Sequence, residues 1–472
     1  RYYDRIAYDE TYNGLALAPP MGFNNWNVFG CGVSADLIKQ TALAMHNNGM
    51  QDAGYEYVNI DDCWMAGRDI PRSDPARATA GRSADGHLIP DPTYFPPSAP
   101  GRTDGIKLVA DYVHSLGLKL GIYQDAGVTT CQGLAGTYKG PDGATFAEID
   151  AQDFADWGVD YLKHDWCNVP LGDVPGATRD DKAEFLYTEM SQALLATDRP
   201  IVFEAATLGD PGLSTHTWAP AISNLWRTTP DISPSFASML RNFTANAELA
   251  EFAGPGRWND PDMLEVGTGA FSTLAAPADK GARTIKVTSV SRAIVGGVVR
   301  VGTAAAGDLE SAVVTEVGTA GADGTGITLN RPLMKDHPVG EQINKNGMTL
   351  TEERSHFTLW AQMAAPLLAG TDVANMAPQD LAIYTNREVI EVDQDPLGAQ
   401  ATVVSNTDGH WVLSKPLSDG ARSVVLFNAG DAPWTDASVP LDAFGLDPAQ
   451  KYRARDLWAH TGRTVTGVEQ HH

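Results

Sequence analysis

The chain has 472 residues, of which 43% are hydrophobic and 20% are charged, as in an ordinary globular protein with room for two or three domains. No apolar run reaches the roughly 18 residues that a membrane-spanning helix needs. The formal net charge of −25 excludes nucleic acid as a partner, because binding phosphates requires a basic surface. A neutral ligand such as a sugar is compatible with this charge, and acidity can also serve solubility alone.

Apolar runs alternate with helical stretches along most of the chain. The first helix is predicted over 34–49, with Ser34 as its N-cap and Gly49 as its stop. Eight runs have the length and composition of buried strands: 14–26, 55–64, 118–125, 159–168, 200–205, 224–231, 257–264 and 367–372. Strands that alternate with helices pair in parallel, and eight such units favour a (β/α)8 barrel. The rival fold is a doubly wound sheet, but no Gly-rich dinucleotide fingerprint follows the first strand.

Seven of the predicted strands end in charged side chains. These are Asp61 and Asp62, Asp125, Lys163 and Asp165, Glu204, Arg227 and Asp231, Asp260 and Asp262, and Asp372. One such residue alone is more often a helix cap. In a parallel barrel, however, all strands end at the face that carries the active site. The convergence therefore predicts an acidic site with two basic residues.

Carboxylates, basic side chains and tryptophans together favour sugar chemistry, because aromatic faces stack on sugar rings while charged groups bind hydroxyls. Cleavage of a glycosidic bond needs two carboxyl groups that flank the anomeric carbon. The alternative is a divalent metal held by Asp61, Asp260 and Asp262, but no histidine has a matching ligand spacing. We therefore predict no metal and no other cofactor.

Two regions depart from the barrel pattern. Residues 271–347 contain short alternating runs at 284–290, 297–304, 311–318 and 326–333, which predict an inserted β-module. The module follows the seventh strand, so we expect it at the active-site face, either as a stabilising insertion or in contact with a long substrate. From 398 to 472, runs such as 410–417 and 422–430 predict an antiparallel β-sandwich whose last strand is missing after 463–468. The barrel itself is assigned to 1–397.

The four cysteines have no metal-binding spacing, and their even number fits two disulfides in an oxidising compartment. The prediction is a secreted protein. Since the chain begins at Arg1 without a leader, we expect an exported form that is already processed. Whether it is a monomer or a homo-oligomer stays open.

Six motifs in chain order resemble the α-galactosidases of glycoside hydrolase family 27. They are 19-PPMGFNNW-26, 54-GYEYVNIDDCW-64, 121-GIYQDAG-127, 159-VDYLKHDWCN-168, 254-GPGRWNDPDMLEVG-267 and 366-PLLAGTD-372. The resemblance covers about 14–397 apart from the β-module, and the terminal β-domain suits the family. It implies a retaining glycoside hydrolase that removes terminal α-D-galactosyl residues from oligo- or polysaccharides.

The resemblance also implies roles for single residues. Asp165 corresponds to the nucleophile and Asp231 to the general acid and base. Asp61 and Asp62 correspond to the pair that holds the 4- and 6-hydroxyls of galactose. The other implied sugar-binding residues are Lys163 at O3 and O4, Glu204 and Arg227 at the 2-hydroxyl, Trp26 and Tyr123 in the pocket wall, and Asp262. The implied disulfides are Cys31–Cys63 and Cys131–Cys167.

The sequence departs from the family pattern at two places. His164 stands where members often have tyrosine, and we expect it to be buried and hydrogen-bonded on the outer side of its strand. Phe203 to Ala206 replace a Cys-Glu-Trp pattern, which leaves the second sugar of the substrate open. The alternative functions are a β-L-arabinopyranosidase, an α-N-acetylgalactosaminidase and a non-catalytic carbohydrate-binding protein. The intact Asp61–Asp62 pair argues against the first, and Glu204 argues against the second. The presence of both Asp165 and Asp231 argues against the third.

Overall fold

The computed structural model describes residues 12–140, 144–268, 270–290, 293, 295, 298–302, 307–344, 348–376, 378–435, 437–466 and 468–471. These residues form two compact units. The first lies within Arg1–Ile232, Leu240–Leu264 and Ser355–His472, and the second comprises Ser233–Met239 and Glu265–Arg354.

The first unit contains the predicted barrel. Its strands are β1 Met21–Asn24, β2 Tyr57–Asn59, β3 Lys119–Asp125, β4 Tyr161–Asp165, β5 Val202–Ala206, β6 Leu225–Arg227, β7 Trp258–Asp260 and β8 Leu367–Ala369. They pair in parallel in the order β8-β1-β2-β3-β4-β5-β6-β7. The ring closes at Leu264, whose N–H donates to the carbonyl of Leu368 at 2.8 Å and whose carbonyl accepts from Gly370 at 2.9 Å. The (β/α)8 fold is therefore confirmed.

Helices lie between the strands as the sequence predicts. The longer ones are Ala35–Asn47, Gly105–Ser115, Ala147–Trp157, Arg179–Ala196, Phe236–Ala247 and Leu350–Gln362. Shorter ones are Trp26–Phe29, Met50–Ala53, Ala76–Thr79, Thr215–Trp218, Pro378–Tyr384 and Arg387–Asp393. Ser34 caps its helix as predicted, since its side chain accepts from the N–H of Leu37 at 3.2 Å. Arg179–Ala196 begins with a capping box, in which the Thr178 side chain accepts from the N–H of Asp181 and the Asp181 side chain accepts from the N–H of Thr178.

Along each of these strands, the side chains that point into the barrel change from apolar to polar over a step of two residues. Its lower layer is a buried cluster that includes Tyr57, Tyr161, Val202, Leu225 and Trp258. Side chains alternate along a strand, so the residues two positions further point inward again, one layer nearer the mouth. These are Asn59, Lys163, Glu204, Arg227 and Asp260. The spacing of each strand thus places the polar site directly above an apolar floor.

The inserted β-module forms a six-stranded antiparallel sheet. In sheet order its strands are Ala270–Thr273, Gln342–Asn344, Val298–Val301, Glu310–Val317, Ile327–Leu329 and Thr284–Ile285. The sequence does not predict the first and last strands of the module, at 270–273 and 342–344. Residues 297, 303 and 304 belong to the strand predicted over 297–304 and lie outside the described residues. The module has its own core, which includes Val287, Val301, Ile327 and Ile343. Its contribution to substrate binding stays a prediction.

The C-terminal part is antiparallel, as predicted. Its strands are Thr402–Thr407, His410–Pro416 and Arg422–Asn428 in one sheet, with two further pairs formed by Ala437–Pro440 with Val468–His471 and by Tyr452–Asp456 with Thr461–Val465. Val468–His471 lies beyond the last run that the sequence predicts. Among the helices of the described chain, none is both long and apolar enough to cross a membrane.

Candidate active site

The predicted site residues meet at the carboxyl ends of the barrel strands. Eight of them are less than one-tenth exposed: Asp61, Asp62, Tyr123, Lys163, Asp165, Glu204, Arg227 and Asp262. Asp231 is the exception, with 69% of its side chain exposed. Trp26 is half-buried. The charged groups therefore form a buried cluster with one exposed carboxylate beside it.

Asp165 is held as an ionised carboxylate at the end of β4. Its Oδ2 accepts from the Tyr123 hydroxyl at 2.8 Å, and its Oδ1 accepts from the backbone N–H of Trp166 at 2.9 Å. Burial raises the pKa of Asp165 to about 6, although the Lys163 ammonium and these hydrogen bonds oppose the rise. At neutral pH the group is consequently ionised and oriented, as a nucleophile must be.

Lys163 and Asp61 form a buried ion pair beside this carboxylate. The Lys163 Nζ donates to Oδ2 of Asp61 at 2.8 Å, and the Asn24 amide donates to the same oxygen at 2.8 Å. Burial lowers the pKa of Lys163, but Asp61, Asp165 and Glu204 outweigh it and hold the pKa above its ordinary value. The lysine therefore stays charged, with donors to spare for a ligand.

Asp62 is oriented by the backbone rather than by a cation. Its Oδ1 accepts from the N–H of Cys63 at 2.6 Å, and its Oδ2 accepts from the N–H of Gln132 at 3.0 Å. Burial raises the pKa of Asp62 to about 7. The Thr130 side chain also bonds to this carboxylate, and a carboxylate has about four acceptor positions, so one is left for a sugar hydroxyl.

Arg227 connects two carboxylates on the other side of the site. Its Nη2 lies 3.0 Å from Oδ1 of Asp231 and 3.1 Å from Oδ2 of Asp262. Asp262 also accepts from the backbone N–H groups of Ile232 and Met263, each at 2.8 Å. Asp262 thus fixes the segment that carries Asp231, and its contact with substrate stays a prediction.

The electrostatics of Asp231 differ from those of Asp165. Partial burial raises the pKa of Asp231, but Arg227 and Lys163 outweigh burial and hold the pKa below its usual value. In the free protein Asp231 is therefore the stronger acid of the two. A group meant to donate a proton must regain that proton when a ligand covers it.

Glu204 shares its surroundings with a second carboxyl group. The Tyr161 hydroxyl donates to Oε2 of Glu204 at 2.5 Å, and Glu204 is also hydrogen-bonded to Asp260. Burial, followed by the charge of Asp260, raises the pKa of Glu204 to about 8. Two buried carboxyl groups in contact hold one proton between them, since both cannot be ionised at low cost.

Known proteins are similar to this chain in both sequence and fold. The family model described as "Alpha galactosidase A" matches residues 18–280 and 330–395, and the "Alpha galactosidase C-terminal beta sandwich domain" matches 407–471. A probable α-galactosidase of Dictyostelium discoideum is 36% identical over 451 residues, which are 95% of this chain and 87% of that protein. The chain belongs to the α-galactosidase family, glycoside hydrolase family 27.

Further family members cover nearly the whole chain. Alpha-galactosidase 3 of Arabidopsis thaliana is 36% identical over 466 residues, or 97% of this chain and 80% of that protein. The crystal structure of α-galactosidase I from Mortierella vinacea is 28% identical and has a TM-score of 0.71, covering 97% of this chain and 94% of that one. The gap between the two ranges matched by the family model falls within the inserted β-module.

Both disulfides expected from the α-galactosidase resemblance are formed. Cys31 is bonded to Cys63 and Cys131 to Cys167. Each lies next to a site carboxylate: Cys63 and the residue after Cys131 donate to Asp62, and the Cys167 N–H donates to Asp125. The bridges therefore fix the loops whose backbone orients the site.

Sequence reasoning gave no role to three buried residues that hold the site residues in place. Asn24, Asn25 and Tyr161 all stand in the quoted family motifs and are less than one-tenth exposed. Asp125 and Asp260 were predicted only as charged strand ends, and both are buried in the site. Asp372 was counted with them, but its side chain caps a short helix by accepting from the N–H of Asn375 at 3.3 Å. The cap interpretation is correct for Asp372.

Two groups of described residues have ligand atoms close enough for a metal ion. One contains Asp125, Asp165 and two cysteines, but the sulfurs belong to the Cys131–Cys167 disulfide and offer no thiolate. The other, Asp308, His337 and Glu341, lies in the β-module. There His337 is bonded through both ring nitrogens, to Glu341 at 2.7 Å and to Glu310 at 2.9 Å, so an ion-paired histidine accounts for the arrangement.

His164 is buried as expected, but the expected hydrogen bond is wrong. The residue is 1% exposed, and neither ring nitrogen has a hydrogen-bond partner among the described residues. Its ring packs edge-on against Tyr187 at 5.3 Å and lies 6.0 Å from Phe203. Burial lowers the pKa of His164 to about 3, so the folded protein keeps this side chain neutral.

We expect His164→Phe to make the protein less sensitive to acid. The unfolded chain protonates this histidine below about pH 6.5, whereas the folded protein does so only near pH 3. The wild type therefore loses stability as pH falls from about 6.5 to 3. Between pH 7.5 and 4.5, the variant should lose about 2–3 kcal/mol less in the free energy of unfolding than the wild type. Urea denaturation at both pH values measures this, and equal losses would contradict it. His46→Asn, at an exposed position, is the control.

Proposed function

We propose that the chain is a retaining α-galactosidase that removes terminal α-D-galactosyl residues, with Asp165 as nucleophile and Asp231 as general acid and base. The observation that carries the proposal is the pair of unlike carboxylates at one mouth. Asp165 is buried, immobilised by Tyr123 and Trp166, and Asp231 is 69% exposed on Arg227. Curated relatives at 36% identity over most of the chain are named α-galactosidases, which supports the same activity.

The reaction proceeds in two displacements. In the first, an oxygen of Asp165 bonds to the anomeric carbon while the bond to the leaving oxygen breaks and Asp231 gives that oxygen its proton. In the second, Asp231 takes a proton from water, whose oxygen replaces Asp165 at the anomeric carbon. A bound sugar shields Asp231 from water, which favours its protonated form and prepares it to act as the acid.

The sugar pocket is formed by the surrounding charges. Asp61 and Asp62 accept from the 4- and 6-hydroxyls, and Lys163 donates to O3 and O4. Glu204 and Arg227 bind the 2-hydroxyl, and the rings of Trp26 and Tyr123 form the wall. The substrate class is a galactosylated oligo- or polysaccharide. We assign the catalytic barrel to 1–397, with the β-module at 271–347 and the terminal domain at 398–472, and the disulfides favour a secreted enzyme.

A panel of p-nitrophenyl glycosides tests the proposed function. We expect the highest kcat/KM for the α-D-galactoside, and NMR of the first product should show α-galactose, since two inversions restore the configuration. Preference for the β-L-arabinopyranoside or the α-N-acetylgalactosaminide would instead assign the respective alternative activity. Binding of galactose without turnover of any of the three would indicate a carbohydrate-binding protein.

Asp61→Asn should change the preference of the enzyme for α-D-galactosides over β-L-arabinopyranosides. β-L-Arabinopyranosides lack the hydroxymethyl group of galactose, so they make no use of an acceptor for the 6-hydroxyl. We expect kcat/KM for the galactoside to fall by about 100-fold, because a buried hydroxyl loses its charged partner. The pentoside should lose less.

The readout for Asp61→Asn is the ratio of the two kcat/KM values. A ratio that does not move toward the pentoside would show that Asp61 does not bind this end of the sugar. Asp372→Asn is the matched control, since Asp372 is a carboxylate at the same face that serves as a helix cap. It should leave the ratio unchanged.

A further inference from the structure

Asp125 is a buried carboxylate beside Asp165 that has no role in the proposed mechanism. It is the last residue of β3, in register with Asp165 at the end of β4, and it is 0% exposed. Its Oδ1 accepts from the N–H of Gly127 at 2.7 Å, and its Oδ2 accepts from the N–H of Cys167 at 3.0 Å. The backbone thus fixes the carboxylate, and its Oδ2 is directed at Tyr123.

The Tyr123 hydroxyl lies between the two carboxylates. Its oxygen is 2.8 Å from Oδ2 of Asp165 and 3.3 Å from Oδ2 of Asp125. A phenol has one proton to donate, so it bonds to one of the two acceptors at a time. The shorter distance assigns the donation to Asp165 in the free protein, while Asp125 remains within reach as the second acceptor.

Glycosylation changes which of these acceptors is the better one. When an oxygen of Asp165 bonds to the anomeric carbon, the carboxylate becomes an ester and loses its negative charge. Hydrogen bonds to an ionised acceptor are about twice as strong as those to a neutral one. Asp125 takes no part in bond formation. In the free protein, burial and the charge of Asp165 raise the pKa of Asp125 well above its ordinary value. The second of these causes disappears with the ester, so Asp125 becomes a better acceptor at the same moment as Asp165 becomes a poorer one. The hydrogen bond is therefore drawn from Asp165 to Asp125 as the ester forms.

We propose that Asp125 is a positioning residue for the nucleophile, the acceptor to which the Tyr123 hydroxyl turns when Asp165 is glycosylated. The Tyr123 proton stays on its oxygen, and only the hydrogen bond is exchanged. When water bonds to the anomeric carbon, Asp165 leaves as a carboxylate and the hydroxyl returns to it. The inference rests on the proposed role of Asp165. Asp125 acts through Tyr123 and needs no contact with the sugar.

A trapped glycosyl-enzyme tests this in the wild-type protein. A 5-fluoro-galactosyl fluoride accumulates the covalent intermediate, and mass spectrometry identifies the labelled residue before the crystal structure is solved. We expect a sugar on Asp165 and a Tyr123 hydroxyl closer to Asp125 than to Asp165. If Asp165 is labelled and the hydroxyl stays closer to Asp165, this inference is wrong while the proposed function stands. If another residue is labelled, the proposed function itself fails.

A double-mutant cycle tests the same inference in solution. Asp125→Asn keeps an oxygen for the backbone N–H groups but replaces the acceptor that faces Tyr123 with an amide donor, and it should lower kcat for an aryl α-galactoside about 10- to 100-fold through misplacement of Tyr123. In a Tyr123→Phe background, the same change should cost less than about twofold, because the group through which Asp125 acts is absent. Additive losses would overturn the inference, since a structural role of Asp125 would persist without the hydroxyl.

Discussion

Replacing Asp165 with alanine is expected to lower kcat/KM for an aryl α-galactoside by a factor on the order of 10⁴ or more. The reason is that the variant lacks the carboxylate that forms the glycosyl ester in the proposed mechanism, while the neighbouring Asp61 is paired with Lys163. The hydroxyl of Tyr123 and the N–H of Trp166 would remain, with nothing to orient. Steady-state kinetics on purified, folded variant measures the loss.

Azide should partly restore the Asp165→Ala variant. A small anion can enter the space that the carboxylate leaves and attack the anomeric carbon from the same side, while the activated aryloxide departs. The product is β-galactosyl azide, inverted because only one displacement occurs. Near wild-type activity without azide would show that Asp165 is not the nucleophile. Asp372→Ala, which also removes one carboxylate from this face, is the control and should keep its activity.

Asp231→Ala is expected to separate substrates according to their leaving groups. A 2,4-dinitrophenyl galactoside departs as a stable anion and needs little proton donation, so we expect a loss of about tenfold or less. An alkyl or sugar aglycone must be protonated as its bond breaks, and general acid catalysis contributes about 10²- to 10⁴-fold. The loss there should be about 10³-fold. Each substrate serves as the control for the other, and equal losses on both would exclude the role of Asp231 as the acid.

The pH dependence of kcat/KM should distinguish the same two residues. The free enzyme needs Asp165 ionised, with its pKa near 6, and Asp231 protonated, with its pKa held below the usual value by Arg227. Only a minority of molecules carry an ionised Asp165 and a protonated Asp231 at the same time. Above about pH 6, Asp165 is already mostly ionised while the protonated fraction of Asp231 keeps falling, so the active fraction falls. We therefore expect an acidic optimum with a decline above about pH 6.

In Asp231→Ala with the dinitrophenyl substrate, only the ionisation of Asp165 remains. Activity should then rise with pH up to about 6 and stay level above it. A profile that still falls above pH 6 would show that another group supplies the acid. The comparison uses one substrate and two proteins, so a change in the aglycone cannot cause the difference.

The sequence by itself determined the barrel and most of the catalytic face. The alternation of apolar strands and helices fixes parallel pairing, and the period of two along each strand places Lys163 and Asp165 on the inner side together. The Ser34 cap is equally local. These features depend on neighbours within a few residues, which is why the printed sequence is enough to predict them.

Only the tertiary structure decided which groups touch. Asn24 meets Asp61, 37 residues away, and Tyr123 lies between Asp125 and Asp165, which are 40 positions apart in the sequence. His164 was expected to form a hydrogen bond, but among the described residues its ring packs against the aromatic ring of Tyr187 instead. Contacts of this kind depend on strand register and on helices packed from distant parts of the chain. The pKa values of the site carboxyls depend on the same contacts, because burial and neighbouring charges set them.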